Sequence, residues 1–160
     1  MNQITKKEEA PVNSEQAQRL RQLIADIIQC CQERQLFEAE LFGLPRAELR
    51  CLLCFGQERY LTAKNLALRL EVGKSRVSKL VEGLLKKQLI EIIADPKDGR
   101  VKLLTLTGRG RRKVGQIDEF LVGVHARVLS QVEAKQRNLV LAALEMLWSA
   151  METVKQELRI

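Results

Sequence analysis

Hydrophobic residues recur at helical spacing along most of the chain. The first such segment begins at Ser14, whose side chain is of a helix-capping type, and is predicted to end near Gln35. Its apolar residues share one helix face and comprise Leu20, Leu23, Ile24, Ile27 and Cys31. Pro45 interrupts the pattern, and a second helix is predicted from Arg46 to Phe55. The polar segment 1–13 is predicted to be a disordered tail.

Two short, closely spaced helices are predicted next. Thr62 is the predicted cap of the first, with Leu61 and Leu66 in the positions of a hydrophobic staple. After Gly73, apolar residues recur with the spacing of one helix face at Val77, Leu80, Val81, Leu84 and Leu85. The opposite face carries Ser75, Arg76, Ser78, Lys79 and Glu82. A tight glycine-containing turn between two short helices predicts a helix-turn-helix.

A β-hairpin is predicted directly after these helices. Its strands are the β-prone runs Leu89 to Ala94 and Val101 to Leu106, and the loop between them is rich in turn residues. Lys97 and Arg100 lie in that loop. A helix-turn-helix followed by such a hairpin predicts a winged helix. Its second helix would enter the major groove of duplex DNA, while the wing would reach the minor groove.

Two long helices complete the chain. Thr107 is the predicted cap of the first, and the second follows a break near Glu133. Their apolar stripes alternate in steps of three and four, at Val114, Ile117, Leu121, Val124 and Val128 and at Val140, Leu144, Leu147, Met151, Val154 and Leu158. This spacing favours helix pairing, either within one chain or, as we expect, between two copies. The predicted fold class is mainly α with a small β-hairpin wing.

Charge is concentrated in the winged-helix segment. The chain of 160 residues has a net charge of +7, yet residues 62–113 carry 14 basic and 5 acidic side chains. The rest of the chain is close to neutral, so the excess points to an anionic partner contacting one region. No apolar run has the length of a membrane span, and the first 13 residues contain no apolar signal segment, so a cytoplasmic location is predicted.

These segments together resemble the MarR (multiple antibiotic resistance regulator) family of bacterial transcription factors. The resemblance covers nearly the whole chain and is most specific in Leu66-Ala67, in 74–81, in Asp95-Pro96-Lys97-Asp98-Gly99-Arg100 and in Leu106-Thr107-Gly108-Arg109-Gly110. It implies a homodimer that binds a palindromic operator as a repressor, is released by a small ligand or by thiol oxidation, and pairs through its terminal helices. The resemblance thus implies that the chain divides into 14–45 (dimerisation helix and linker), 46–106 (DNA-binding domain) and 107–160 (dimerisation helices).

The resemblance also assigns roles within the DNA-binding segment. Ser75, Arg76, Ser78 and Lys79 are the major-groove candidates, Arg100 is the minor-groove residue, and Asp98 stabilises the wing by a local ion pair. Lysines of this region suit phosphate contacts, which add affinity without sequence information: Lys74, Lys79, Lys86, Lys97 and Lys102. For Lys86 and Lys87 a solvated helix end is the alternative. Two positions depart from the expected pattern, namely Gln88 in place of a helix-ending glycine and Gly83 inside the second helix.

Four cysteines are the candidates for a redox switch: Cys30, Cys31, Cys51 and Cys54. Packing as small hydrophobes is the favoured interpretation, because Cys51 and Cys54 lie in an apolar helical stretch. A thiol switch and a metal site are the alternatives, although no metal site is predicted.

No enzymatic activity and no cofactor are predicted. The sequence shows no catalytic arrangement and no glycine-rich phosphate loop, and its only histidine, His125, has a helical context that favours a structural role. The competing function is that of a winged-helix adaptor that binds proteins without sequence-specific DNA binding.

Overall fold

The computed structural model describes residues 13–56 and 58–158. Six α-helices, one short 3₁₀ turn and a two-stranded hairpin make up this part of the chain. In chain order they are α1 (Ser14–Phe42), α2 (Arg46–Leu53), α3 (Ala63–Leu70), α4 (Lys74–Lys86), β1 (Ile90–Ala94), β2 (Lys102–Leu106), α5 (Gly108–Ser130), the 3₁₀ turn (Ala134–Gln136) and α6 (Arg137–Leu158).

Helix α1 differs from its prediction at both ends. Its cap is Asn13, which forms a capping box with Gln16, so residue 13 belongs to the helix start rather than to a tail. The rest of the predicted tail, 1–12, lies outside the described residues. The helix also continues beyond Gln35 to Phe42, and Gly43 ends it in the left-handed conformation (φ 63°).

An aromatic contact accounts for the greater length of α1. The ring of Phe120 on α5 lies 6.2 Å from that of Phe37 and 5.6 Å from that of Phe42. Lys113 of α5 also donates to the Phe42 carbonyl at 3.3 Å, which satisfies one of the free carbonyls at the helix end. The last two turns of α1 are therefore stabilised by α5.

The other boundaries lie close to the predicted ones. Helix α2 ends at Leu53, two residues before the predicted end, and Phe55 beyond it is fully buried. Each strand begins one residue later than predicted. Thr62 and Thr107 cap α3 and α5 as predicted, each accepting a backbone N–H bond through its hydroxyl.

The hairpin is antiparallel, with Ile92 opposite Leu104. Leu61, just before α3, extends it by an isolated bridge to Leu104, with N–H to carbonyl distances of 3.0 and 2.7 Å. This bridge attaches the wing to the start of the helix-turn-helix.

One hydrophobic core lies beneath the winged helix. It is formed by α2, α3, α4, the hairpin and the first half of α5, and its fully buried side chains include Leu52, Phe55, Leu66, Leu84, Ile90 and Ile117. The predicted winged-helix fold is confirmed. Helices α1 and α6 contribute little to this core: of the described α1 residues Glu38 alone is buried, and α6 buries none.

No helix in the described part of the chain combines the length and the apolar character that a membrane span requires.

Candidate nucleic-acid interface

Helix α4 presents a polar basic face opposite its buried one. Ser75, Arg76 and Lys79 are exposed, whereas Val77 and Leu84 pack into the core. Ser78 is exposed as well, and its hydroxyl donates to the Lys74 carbonyl at 3.1 Å. The sequence thus placed all four major-groove candidates on one accessible surface.

The turn before α4 is held by backbone geometry and by α3. Glu71 ends α3 in the left-handed conformation (φ 55°), and the Gly73 carbonyl accepts the Arg76 N–H at 3.1 Å to begin α4. Arg69 of α3 donates to the Cys54 carbonyl at 2.8 Å and pairs with Glu58. Arg69 is therefore engaged within the fold, unlike the basic residues of α4.

Two aspartates shape the loop of the wing. Asp95 accepts the Lys97 N–H at 2.8 Å, and Asp98 accepts the Arg100 N–H at 3.0 Å. Arg100 Nε lies 3.6 Å from Asp98 Oδ1, while the Arg100 side chain is 96% exposed. The contacts of Asp98 are the local ones expected of a wing-stabilising residue, and they leave the guanidinium accessible.

The base of the wing adjoins α4, whereas its loop does not share that groove. Lys102, Ile92 and Ser78 line one shallow groove between the hairpin and α4. Lys97 and Arg100 lie farther along the hairpin, in the exposed loop between the strands. The predicted DNA-binding residues therefore form two groups, one on α4 with the wing base and one at the wing tip.

Besides Arg69 and Arg100, two lysines of this region form internal ion pairs. Lys86 pairs with Glu82 at 2.6 Å on the exposed face of α4, which raises the pKa of Lys86 and lowers that of Glu82. Lys87 pairs with Glu48 of α2 at 2.8 Å. Within residues 13–56 and 58–158, no ion pair involves the remaining cations that were predicted to bind DNA: Lys74, Arg76, Lys79, Lys97 and Lys102.

The end of α4 is joined directly to the start of α5. Gln88 adopts the left-handed conformation (φ 57°) that a glycine would favour, and its carbonyl accepts the Thr107 hydroxyl at 2.7 Å. The Thr107 N–H donates to the Leu89 carbonyl at 3.1 Å. Gly110 lies against that same carbonyl so closely that a Cβ at this position would overlap it. The Thr-x-x-Gly spacing thus serves to connect α4, the wing and α5.

The four cysteines differ sharply in accessibility. Cys30 on α1 is exposed and Cys31 is partly exposed, whereas Cys51 on α2 is fully buried. Burial, with smaller contributions from Cys54 and Glu48, raises the pKa of Cys51 to about 12. Burial also raises the pKa of Cys54, against the opposing effect of Arg69 and Arg50. Because the thiolate is the reactive form, Cys51 and Cys54 are poor candidates for oxidation.

His125 and the possible metal ligands can be placed as well. The side chain of His125 is exposed, and its Nδ1 atom lies 2.7 Å from the Leu121 carbonyl one turn earlier on α5. In the part of the chain that the structure describes, no three His, Cys, Asp or Glu side chains cluster as metal ligands would.

Comparison with known proteins finds similarity to one family. The sequence model described as "MarR family" matches residues 42–101, from the end of α1 to the loop of the wing. A MarR family protein from Bacillus stearothermophilus has a similar structure, with a TM-score of 0.81 and 18% identity over 89% of this chain and 99% of that one. The transcriptional regulator BldR from Sulfolobus solfataricus gives a TM-score of 0.65 and 25% identity over 88% and 99%.

A third similar structure contains nucleic acid. It is a variant of S. aureus MepR bound to an oligodeoxyribonucleotide, with a TM-score of 0.59 and 22% identity over 82% of this chain and 97% of that one. Among curated protein sequences, no significant match is found.

Proposed function

We propose that the chain is a member of the MarR family, whose model matches residues 42–101, and that it binds palindromic duplex DNA as a homodimer and represses transcription. The observation that carries the proposal is the exposed face of α4, where Arg76 and Lys79 have no acidic partner among the described residues. A protein-binding adaptor has no need of unpaired cations on this helix. The oligonucleotide bound to the related MepR variant supports the same choice.

In the proposed complex the two groups of basic residues have different tasks. Ser75, Arg76 and Ser78 read base edges in the major groove, where an arginine can bond guanine in a bidentate manner. Arg100 enters the minor groove, since a guanidinium on an exposed loop suits its negative potential. Phosphate contacts come from the lysines Lys74, Lys79, Lys97 and Lys102.

Unpaired apolar faces support assembly into a dimer. Apolar side chains of α1 and α6 are exposed, with Ile27 at 53% and Met151 at 48%. Leu20 of α1 and Leu147, Met151 and Val154 of α6 line an open groove of about 590 Å³. An isolated helix such as α6 gains little stability in water, so we propose that a second copy covers these faces. Regions 14–45 and 107–160 are then the dimerisation elements.

The experiment that tests this function is selection of bound duplexes from a random pool. We expect recovery of a palindrome with half-sites about one helical turn apart, since two recognition helices related by a two-fold axis require that spacing. Affinity for the recovered duplex should fall steeply as salt rises, because several phosphates release counterions. Recovery of no common sequence, with a flat salt dependence, would instead favour the adaptor. A reporter gene placed behind the recovered site should be transcribed less when the chain is present.

For release from DNA we propose either a small ligand or oxidation of a thiol. A groove of about 380 Å³ between α2 and α5, with Leu53, Arg111, Val114 and Asp118 among its lining residues, has a volume suited to a small ligand. Oxidation would act at Cys30 or Cys31 on the dimerisation helix α1, since these are the more accessible thiols.

The thiol route gives a direct prediction. Alkylation of the folded protein at neutral pH should modify Cys30 first and leave Cys51 unmodified until the chain unfolds, because Cys51 is buried and its pKa is raised. Mass spectrometry of the digested protein measures both sites. Peroxide should then weaken DNA binding by the wild type and not by the Cys30→Ser/Cys31→Ser variant. Equal affinity of the wild type before and after verified oxidation would leave the ligand as the means of release.

A further inference from the structure

We propose that Glu48 is a positioning residue for DNA binding: its ion pair with Lys87, formed across Gly83, fixes the recognition helix α4 against α2. This inference rests on the proposed function, because it concerns the residues that orient the DNA-reading face. It also gives Gly83 a structural role, whereas the sequence alone indicates only that this glycine lowers the helix propensity of α4.

The pair joins the first turn of α2 to the end of α4. Lys87 Nζ lies 2.8 Å from Glu48 Oε2 and donates a hydrogen bond to Oε1 at 3.2 Å. The Glu48 side chain is only 12% exposed. Its Oε2 is buried and, within the described residues, has no hydrogen-bond donor of good geometry, so Lys87 supplies the nearby charge that compensates for its burial. Removing Lys87 would leave the buried Glu48 carboxylate with an uncompensated loss of solvation.

Gly83 provides the space that the carboxylate occupies. A Cβ at this position would overlap Glu48 Oε1 and lie 3.0 Å from Glu48 Cδ. Any other residue here would therefore displace the carboxylate from the surface of α4. The absent side chain thus permits close contact between the two helices, in return for the lower helix propensity of glycine.

The same turn of α2 also adjoins the DNA-facing half of α4. Ala47, the neighbour of Glu48, lines a depression together with Ser75, Arg76 and Lys79. At its other end α4 is held by the bond between the Gln88 carbonyl and the Thr107 hydroxyl. Beside this second point, the Glu48 pair resists sliding or rotation of α4 on α2. Such a movement would displace Arg76 from the base edge that it reads.

Substitution of Glu48 by glutamine tests this role, because positioning and electrostatics predict opposite results. The variant gains one unit of positive charge and keeps nearly the same side-chain volume. Electrostatic attraction alone would raise its affinity for every duplex. Loss of positioning should instead lower affinity for the selected palindrome about tenfold, or about 1.4 kcal/mol. Affinity for random duplex should be equal to or higher than that of the wild type.

Glu82→Gln is the matched control. It makes the same change in charge on the exposed face of α4, where Glu82 pairs with Lys86 in solvent. We expect this variant to bind the palindrome as tightly as the wild type or more tightly. If Glu48→Gln raises affinity for the palindrome as Glu82→Gln does, the positioning role is wrong.

A second set of variants keeps the inference testable if Glu48→Gln folds poorly. Gly83→Ala leaves every charge in place and displaces the carboxylate, so it should reduce the ratio of palindrome to random-duplex affinity in the same way. With Glu48→Ala already present, Gly83→Ala should raise the Tm, since the added methyl group then meets no carboxylate. A lower Tm in that background would contradict the packing argument. If the wild type prefers no duplex, the proposed function fails, whereas the Tm comparison still reports on the pair.

Discussion

Replacing Gly110 by alanine should lower the free energy of unfolding by about 3 kcal/mol or more. The added Cβ would overlap the Leu89 carbonyl and lie 3.2 Å from Leu106 Cδ2. The carbonyl is backbone and is fixed by its bond from the Thr107 N–H, so the overlap can be relieved only by separating α5 from the wing. This cost exceeds the gain of roughly 1 kcal/mol that alanine offers over glycine within a helix.

Gly115→Ala is the control, since it makes the same change on the same helix where no atom lies within 4 Å of the added Cβ. It should be neutral or stabilising by up to about 1 kcal/mol. Urea denaturation at one fixed protein concentration measures both variants, because stability depends on concentration when folding is coupled to assembly. Equal stability of the two alanine variants would show that the close approach at Gly110 does not contribute.

Arg76→Ala should lower affinity for the selected palindrome by about ten- to a hundredfold, as expected for loss of a bidentate contact with guanine. The loss should be confined to sequences with the preferred base at one position of each half-site. Affinity for duplexes that already carry another base at that position should change little. Titrations against a panel of single-base variants of the palindrome measure this pattern.

Other cations of the interface give different patterns in the same titrations. Lys79→Ala should weaken binding uniformly across the panel and reduce the salt slope by about one, as a phosphate contact requires. Arg100→Ala should weaken binding most where the contacted minor groove is narrow. Lys135→Ala, which removes an exposed cation from the 3₁₀ turn, is the control and should bind like the wild type. If Arg76→Ala instead lowered affinity for all duplexes equally, Arg76 would be a phosphate contact.

Elements that depend on neighbouring residues were predictable from the sequence. Thr62 and Thr107 cap their helices as expected, because an N-cap bonds a backbone N–H only two or three residues away. Asp98 contacts its wing neighbour Arg100 for the same reason. The exposed face of α4 follows from the 3.6-residue period alone, which placed Val77 and Leu84 in the core.

Features that depend on distant residues were missed. The end of α1 at Phe42 is stabilised by Phe120, which lies 78 positions later in the sequence and is invisible to a local pattern. Glu48 looks like an ordinary first-turn acid, and only the fold brings it onto Gly83 and Lys87. A glycine inside the amphipathic helix α4 was the available signal, but the sequence analysis took it only as a cost in helix propensity.

The lack of buried residues on α6 has a consequence for how much of this protein a cell must contain. In the proposed dimer, the surfaces that stabilise α6 come from the second copy, so folding of this helix and assembly are one equilibrium. Below the dissociation constant of the dimer, the concentration of the DNA-binding species rises with the square of the chain concentration. A twofold change in expression then changes operator occupancy by up to about fourfold. In the proposed regulator, the exposed face of α6 thereby makes gene control responsive to the protein's own abundance.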